Sequence, residues 1–169
     1  MKQQGFTHDT GTNNKALSID WYTPKWIFDS LNIEFDLDPC APTGGVPWIP
    51  AKNWIDIRQN GLNKEWFGNV WLNPPYGKDT KPFLKKMHHY RNGIALVFAR
   101  TDCIWYHEYA AKADAILFLK GRIKFVDGLG ISATNGCGSG SMLIAWGNNN
   151  VEAIKFMAGK GDFFDKRLF

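Results

Sequence analysis

The chain has 169 residues, 44% hydrophobic and 15% aromatic with eight tryptophans, and a net charge of +4, a size and balance that allow one folded domain to bury a core without staples. No apolar run approaches the ~18 residues that cross a membrane, and the start, MKQQGFTHDT, has no apolar signal-peptide core. Cys40, Cys103 and Cys137 form no CxxC pair and the four histidines no HExxH cluster, which argues against a disulfide framework, a zinc site and a metal enzyme and makes a reducing cytoplasm the expected compartment.

Residues 1–18 are polar, contain GTNN and are expected to form a loose arm. Thr23-Pro24 reads as a helix start, Thr23 as N-cap and Pro24 in the first turn, with Ile27, Phe28 and Leu31 on one face. IEFDLD (33–38) alternates as a strand does. PCAPTGGVPWIP (39–50) is loop-rich, and the stretch between Val46 and Ile55 is too short and proline-rich for a normal strand–helix unit. NVWL (69–72) reads as a strand ending at Asn73-Pro74-Pro75-Tyr76, and PFLKKMHHY (82–90) as a helix. GIALVFA (93–99) is a continuous apolar run, the mark of a strand buried on both faces. A helix over 104–113 and strands at 115–119, 122–126 and 141–146 follow. The glycine-rich segment 127–140 is a long loop, of a length that usually signals function or mobility. The alternation predicts a doubly wound α/β sheet, mostly parallel, with an antiparallel C-terminal edge. In such sheets ligands sit beyond the carboxyl ends of the strands, where Asp38 and Asn73 both fall.

NPPY at a strand end has a chemical reading. The exocyclic amine of a base is a poor nucleophile because its lone pair is delocalised into the ring. The side-chain oxygen of Asn73 and the carbonyl of Pro74 are two acceptors that could take its two hydrogens and localise the lone pair. Pro74 and Pro75 stiffen the backbone that aims the carbonyl, and Tyr76 can stack on the base. A proline turn that merely caps a strand is the plainer alternative.

Taken together, WYTPKWIFDSLN (21–32), FDLDPCAPTGG (35–45), GLNKEWFGNVWLNPPYG (61–77), ALVFARTD (95–102) and GRIKF (121–125) resemble the Dam family of phage and prophage DNA N6-adenine methyltransferases. The resemblance implies a Rossmann-like fold dependent on S-adenosylmethionine (SAM), with residues 19–169 as a single methyltransferase domain. It implies a flipped adenine as acceptor, double-stranded DNA as partner and, for a phage-encoded chain, the host cytoplasm as location. Flipping costs a few kcal/mol, and stacking on an aromatic ring returns about 1–3 kcal/mol. Asn73, Pro74, Pro75 and Tyr76 become the catalytic set. Tyr22, Thr23, Pro24, Asp38, Pro39, Cys40, Asp56 and Asn73 become candidate cofactor contacts, Asp38 toward the methionyl ammonium and Asp56 toward the adenosine. The usual Gly-x-Gly loop is replaced by Pro42 and Gly44-Gly45, and no acidic residue on a second strand is identifiable. Trp48 and Trp54 are candidates to wall the cofactor's adenine, with core packing the plainer role.

Residues 77–125 hold ten Lys/Arg against four Asp/Glu, while the rest of the chain holds ten against twelve. That basic block suits a polyanion. Lys78, Lys81, Lys85 and Lys86 follow NPPY and are expected to hold phosphates, Arg100 and Asp102 to shape the substrate side, and Arg122 to reach DNA. His107-Glu108 and Gly138-x-Gly140 read more simply as helix surface and flexible loop. No separate target-recognition domain is visible, so a short or relaxed recognition sequence is expected. Two other readings stay open: a SAM-dependent methyltransferase acting on RNA bases or protein glutamine, and a catalytically dead relative that binds nucleic acid.

Overall fold

The computed structural model describes residues 21–134 and 136–168, so the expected arm at 1–18 lies outside the described residues. In chain order its main elements are α1 (Lys25–Leu31), β1 (Phe35–Ala41), β2 (Ala51–Asp56), β3 (Val70–Leu72), α2 (Thr80–Tyr90), β4 (Gly93–Phe98), α3 (Ile104–Glu108), β5 (Ala115–Leu119), β6 (Ser141–Trp146), α4 (Asn148–Phe156) and β7 (Gly161–Asp165). The strands form one seven-stranded sheet in the order β2-β1-β3-β4-β6-β5-β7. The β2-β1, β1-β3 and β3-β4 pairs are parallel, and the remaining three are antiparallel.

The continuous apolar run lies at the centre of this sheet as β4, all six residues buried. Ile94, Leu96 and Phe98 join one core with α1 and α4, while Ala95 and Val97 join a second with α2. A strand covered on both faces has no polar side to present, which is why its sequence does not alternate. Gly93 is required by close approach, since a Cβ there would meet the Val70 carbonyl oxygen at 2.3 Å. Among the described residues no helix is long and apolar enough to cross a membrane.

Several boundaries differ from expectation. β1 runs through Pro39-Cys40-Ala41 rather than stopping at Asp38, with an irregularity between Asp38 and Ala41. Proline cannot donate to a ladder, and a bulge accommodates it. β2 was not expected at all. It pairs parallel with β1 across residues 42–50, a connection without a helix and shorter than the dozen or so residues usual for such crossovers. Segment 122–126 is not a strand; Val126 makes only isolated bridges, to Tyr22 and Ser132. The helix expected over 104–113 is α3 followed by a 3-10 turn at Ala110–Lys112. α4 and β7 were not anticipated.

The order of the parallel strands matters most. The chain steps outward from β1 to β2, then returns to the other flank of β1 for β3. Direction of winding therefore reverses between β1 and β3, the position where open α/β sheets leave a crevice beyond their carboxyl ends.

Candidate active site

Asn73 follows β3 immediately, so the NPPY turn stands beside the carboxyl end of β1 at that reversal. The side chain of Asn73 is oriented by a residue fifty positions earlier: its Nδ2 donates to Thr23 Oγ1 at 3.3 Å. This leaves Asn73 Oδ1 buried with no hydrogen-bond partner among the described residues. A buried amide oxygen without a donor costs about 1–3 kcal/mol, and such a cost in a native fold calls for an explanation. Pro74 is buried. The Pro75 carbonyl is already taken, accepting from the Thr80 hydroxyl at 3.0 Å.

Thr23 joins three motifs. Besides meeting Asn73, its carbonyl accepts from the Trp48 indole at 2.8 Å, and the adjacent Tyr22 packs edge-on against Trp48. Thr23 is 1% exposed. It is not the helix N-cap that the sequence suggested: Pro24 holds the N-cap position and α1 begins at Lys25 with no side-chain cap. The hydroxyl is thereby available to Asn73 and retains its own proton to donate.

Tyr76 is half-buried and stacks on Phe98, centroids 4.1 Å apart at 14°. One face of the ring is therefore occupied by protein. Phe98 closes β4, and its contribution was missed in the sequence because it reads as the last core residue of an apolar run. Arg100 is exposed, with its guanidinium 5.6 Å from the Phe98 ring centre. Asp102 is also exposed, and the two form no ion pair with each other among the described residues.

On β1, Asp38 is buried and its Oδ1 accepts the Cys40 N–H at 3.0 Å. Burial pushes its carboxyl up to about 7, against the smaller opposing effect of that N–H. The neighbouring Cys40 thiol is raised by burial and by Asp38. Asp38 lines a small pocket of about 170 Å³ with Ala41, Gly44, Gly45, Ile49 and Trp54. Trp54 is 49% exposed and walls this pocket, whereas Trp66, Trp71 and Trp146 are core residues.

An acidic residue on a second strand is not identifiable from the sequence; in the structure Asp56, the candidate for the adenosine contact, ends β2. Its carboxylate, however, is closed by Arg58, through the backbone N–H at 2.8 Å and the guanidinium at 2.7–3.1 Å, and is held well below the usual carboxylate range.

The basic block divides. Lys78, Lys85, Arg122 and Lys124 are exposed and in no ion pair among the described residues. Lys81 instead bridges α2 to α3 through Glu108 at 2.9 Å, which places His107-Glu108 on a helix surface. Lys86 is withdrawn from any phosphate: its ammonium donates to the carbonyls of Gly61, Leu62 and Lys64 and lies over the Trp66 ring. Gly140 belongs to the ladder beyond β6, its carbonyl accepting the Ala99 N–H. Among the described residues no three His, Cys, Asp or Glu side chains are grouped to hold a metal ion.

No curated protein and no solved structure is found to match the chain. The family model described as DNA N-6-adenine-methyltransferase (Dam) matches residues 10–163, which spans every element of the site. With the match covering nearly the whole sequence, the chain belongs to the Dam family of DNA N6-adenine methyltransferases.

Proposed function

We propose that this protein transfers the methyl group of SAM to the N6 amine of an adenine flipped out of double-stranded DNA, on a Rossmann-like methyltransferase fold. The observation that carries the reading is the Asn73 amide. Its nitrogen is tied to Thr23, and its oxygen is buried without a donor at the point where the sheet reverses.

Asn73 Oδ1 and the Pro74 carbonyl accept the two hydrogens of the incoming amine. Holding both hydrogens out of the ring plane draws the nitrogen lone pair away from conjugation. The acceptors are already oriented, so no reorganisation is needed as charge develops. Because both are neutral, the amine can release its proton to water after transfer. Tyr76, backed by Phe98, would stack on the base, and the stacking would offset much of the extrusion cost.

The residues at the β1 end fit SAM. A buried carboxyl with no cationic partner among the described residues suits an ammonium, and Asp38 supplies it beside a pocket walled by Trp54. Tyr22, Thr23, Pro24, Pro39 and Cys40 would hold the rest of the methionyl end. Asp56 stands where an adenosine contact is expected, with Arg58 in competition for its oxygens. SAM supplies the electrophilic methyl group. Lys78, Lys85, Arg100 and Arg122 are exposed cations that would meet DNA phosphates, and Asp102 would help shape the substrate side.

Mass spectrometry of nucleosides from DNA incubated with SAM and the protein should show N6-methyladenine. Asn73→Ala should abolish that product and leave SAM affinity nearly intact. Product in RNA or protein but not DNA, or wild-type turnover in the variant, would refute the reading.

A further inference from the structure

The segment expected to be a long glycine-rich loop, of a length that signals function or mobility, is built as a hydrogen-bonded arm. Ala133 N–H donates to the Phe125 carbonyl, Cys137 N–H to the Ile123 carbonyl and Asp127 N–H to the Ile131 carbonyl, at 2.8–3.1 Å. The tip is closed by the Asp127 carboxylate, whose Oδ1 accepts the N–H groups of both Leu129 and Ile131 at 2.9 Å. Gly130, with φ +80°, makes the reversal possible. Yet this built turn presents apolar side chains to water: Leu129 is 84% exposed and Ile131 61%. Burying such side chains away from water is favourable, and the free protein forgoes that gain.

The arm is strapped to the candidate active site. Tyr22 and Val126 exchange both backbone hydrogen bonds, at 2.7 and 3.0 Å, and Tyr22 precedes the Thr23 that orients Asn73. Cys137 on the returning limb packs in the same cluster as Tyr76. Arg122 and Lys124 at the root are exposed and in no ion pair among the described residues, and the single acidic residue of 121–140, Asp127, is spent on the turn. An aliphatic tip on a root that carries two unpaired cations matches a duplex, whose phosphates are anionic and whose base steps are apolar.

We propose that the turn at 127–131 is a wedge: Leu129 enters the base stack of duplex DNA and holds the gap left by the target adenine, while Arg122 and Lys124 take flanking phosphates. Apolar side chains inserted between base steps act as wedges of this kind, partly unstacking the steps they enter. The proposal rests on the methyltransferase reading above.

The test measures tritium transfer from labelled SAM to unmethylated plasmid DNA, native and heat-denatured, with SAM affinity as a check on folding. Leu129→Ala should lower kcat/KM on native DNA roughly tenfold or more, change it less than about twofold on denatured DNA, and leave SAM affinity unchanged. Leu129→Phe should restore most of the activity on native DNA. No fall on native DNA, or an equal fall on both forms, overturns the wedge. A wild-type chain that methylates neither form refutes the methyltransferase reading itself, a result that Leu129 variants cannot produce.

Discussion

Asp38 makes the stability of the protein depend on pH in an unusual direction. Its ordinary value is 3.8 and burial raises it to about 7 in the fold. Below pH 3.8 the carboxyl is protonated in both states and has no effect. Between 3.8 and about 7 the unfolded chain releases the proton while the fold keeps it, so this contribution to stability falls as pH rises. Above about 7 the loss is complete. At about 1.4 kcal/mol per pH unit, the interval amounts to roughly 4 kcal/mol. Asp38→Asn keeps the shape and an oxygen for the Cys40 N–H but cannot ionise. Urea unfolding of both proteins at several pH values isolates the effect, because other carboxylates cancel in the difference. The variant should match the wild type near pH 4 and exceed it by up to roughly 4 kcal/mol near pH 8. A difference independent of pH would refute the argument. An ammonium placed beside Asp38 reverses the logic: SAM should bind the wild type more tightly as pH rises toward 7, and Asp38→Asn should lose that dependence.

Thr23→Val removes the acceptor that holds the Asn73 amide while keeping its volume. Single-turnover rates should fall about 10–100-fold, equivalent to about 1.4–2.7 kcal/mol, and Thr23→Ser should recover most of the rate; an unchanged rate in the valine variant would show that the tether is unimportant. Lys86→Ala should destabilise the fold by about 2–3 kcal/mol in urea, since three carbonyls lose a charged donor, with Lys86→Met no better. DNA binding should weaken with salt. Lys78→Ala and Lys85→Ala should each lower the slope of log affinity against log salt by about 0.9, whereas Lys86→Ala should leave it unchanged.

The features legible in the sequence were those written in local pattern. The run at 93–98 could only be a strand buried on both faces, and it is. NPPY after a short apolar stretch belonged at a strand end, and the ordered motifs carried the family. Pattern also misled. RIKFV alternates like a strand, but Val126 alone finds bridge partners, because Tyr22 and the arm's returning limb meet it there instead of a sheet neighbour. AKNWID lacks an apolar face and went unread. It becomes β2 because the edge of β1 offers backbone partners, which depend little on side chains.

The sequence by itself determined the central buried strand and the place of Asn73 just beyond a strand tip, because periodicity records which side chains leave water. Only the tertiary structure decided partners. Thr23 turns to Asn73, Lys86 to three carbonyls rather than DNA, Asp56 to Arg58, and Leu129 to solvent. A hydrogen bond spanning fifty residues leaves no period in the chain; it exists because sheet pairing brings the end of β3 beside the start of α1.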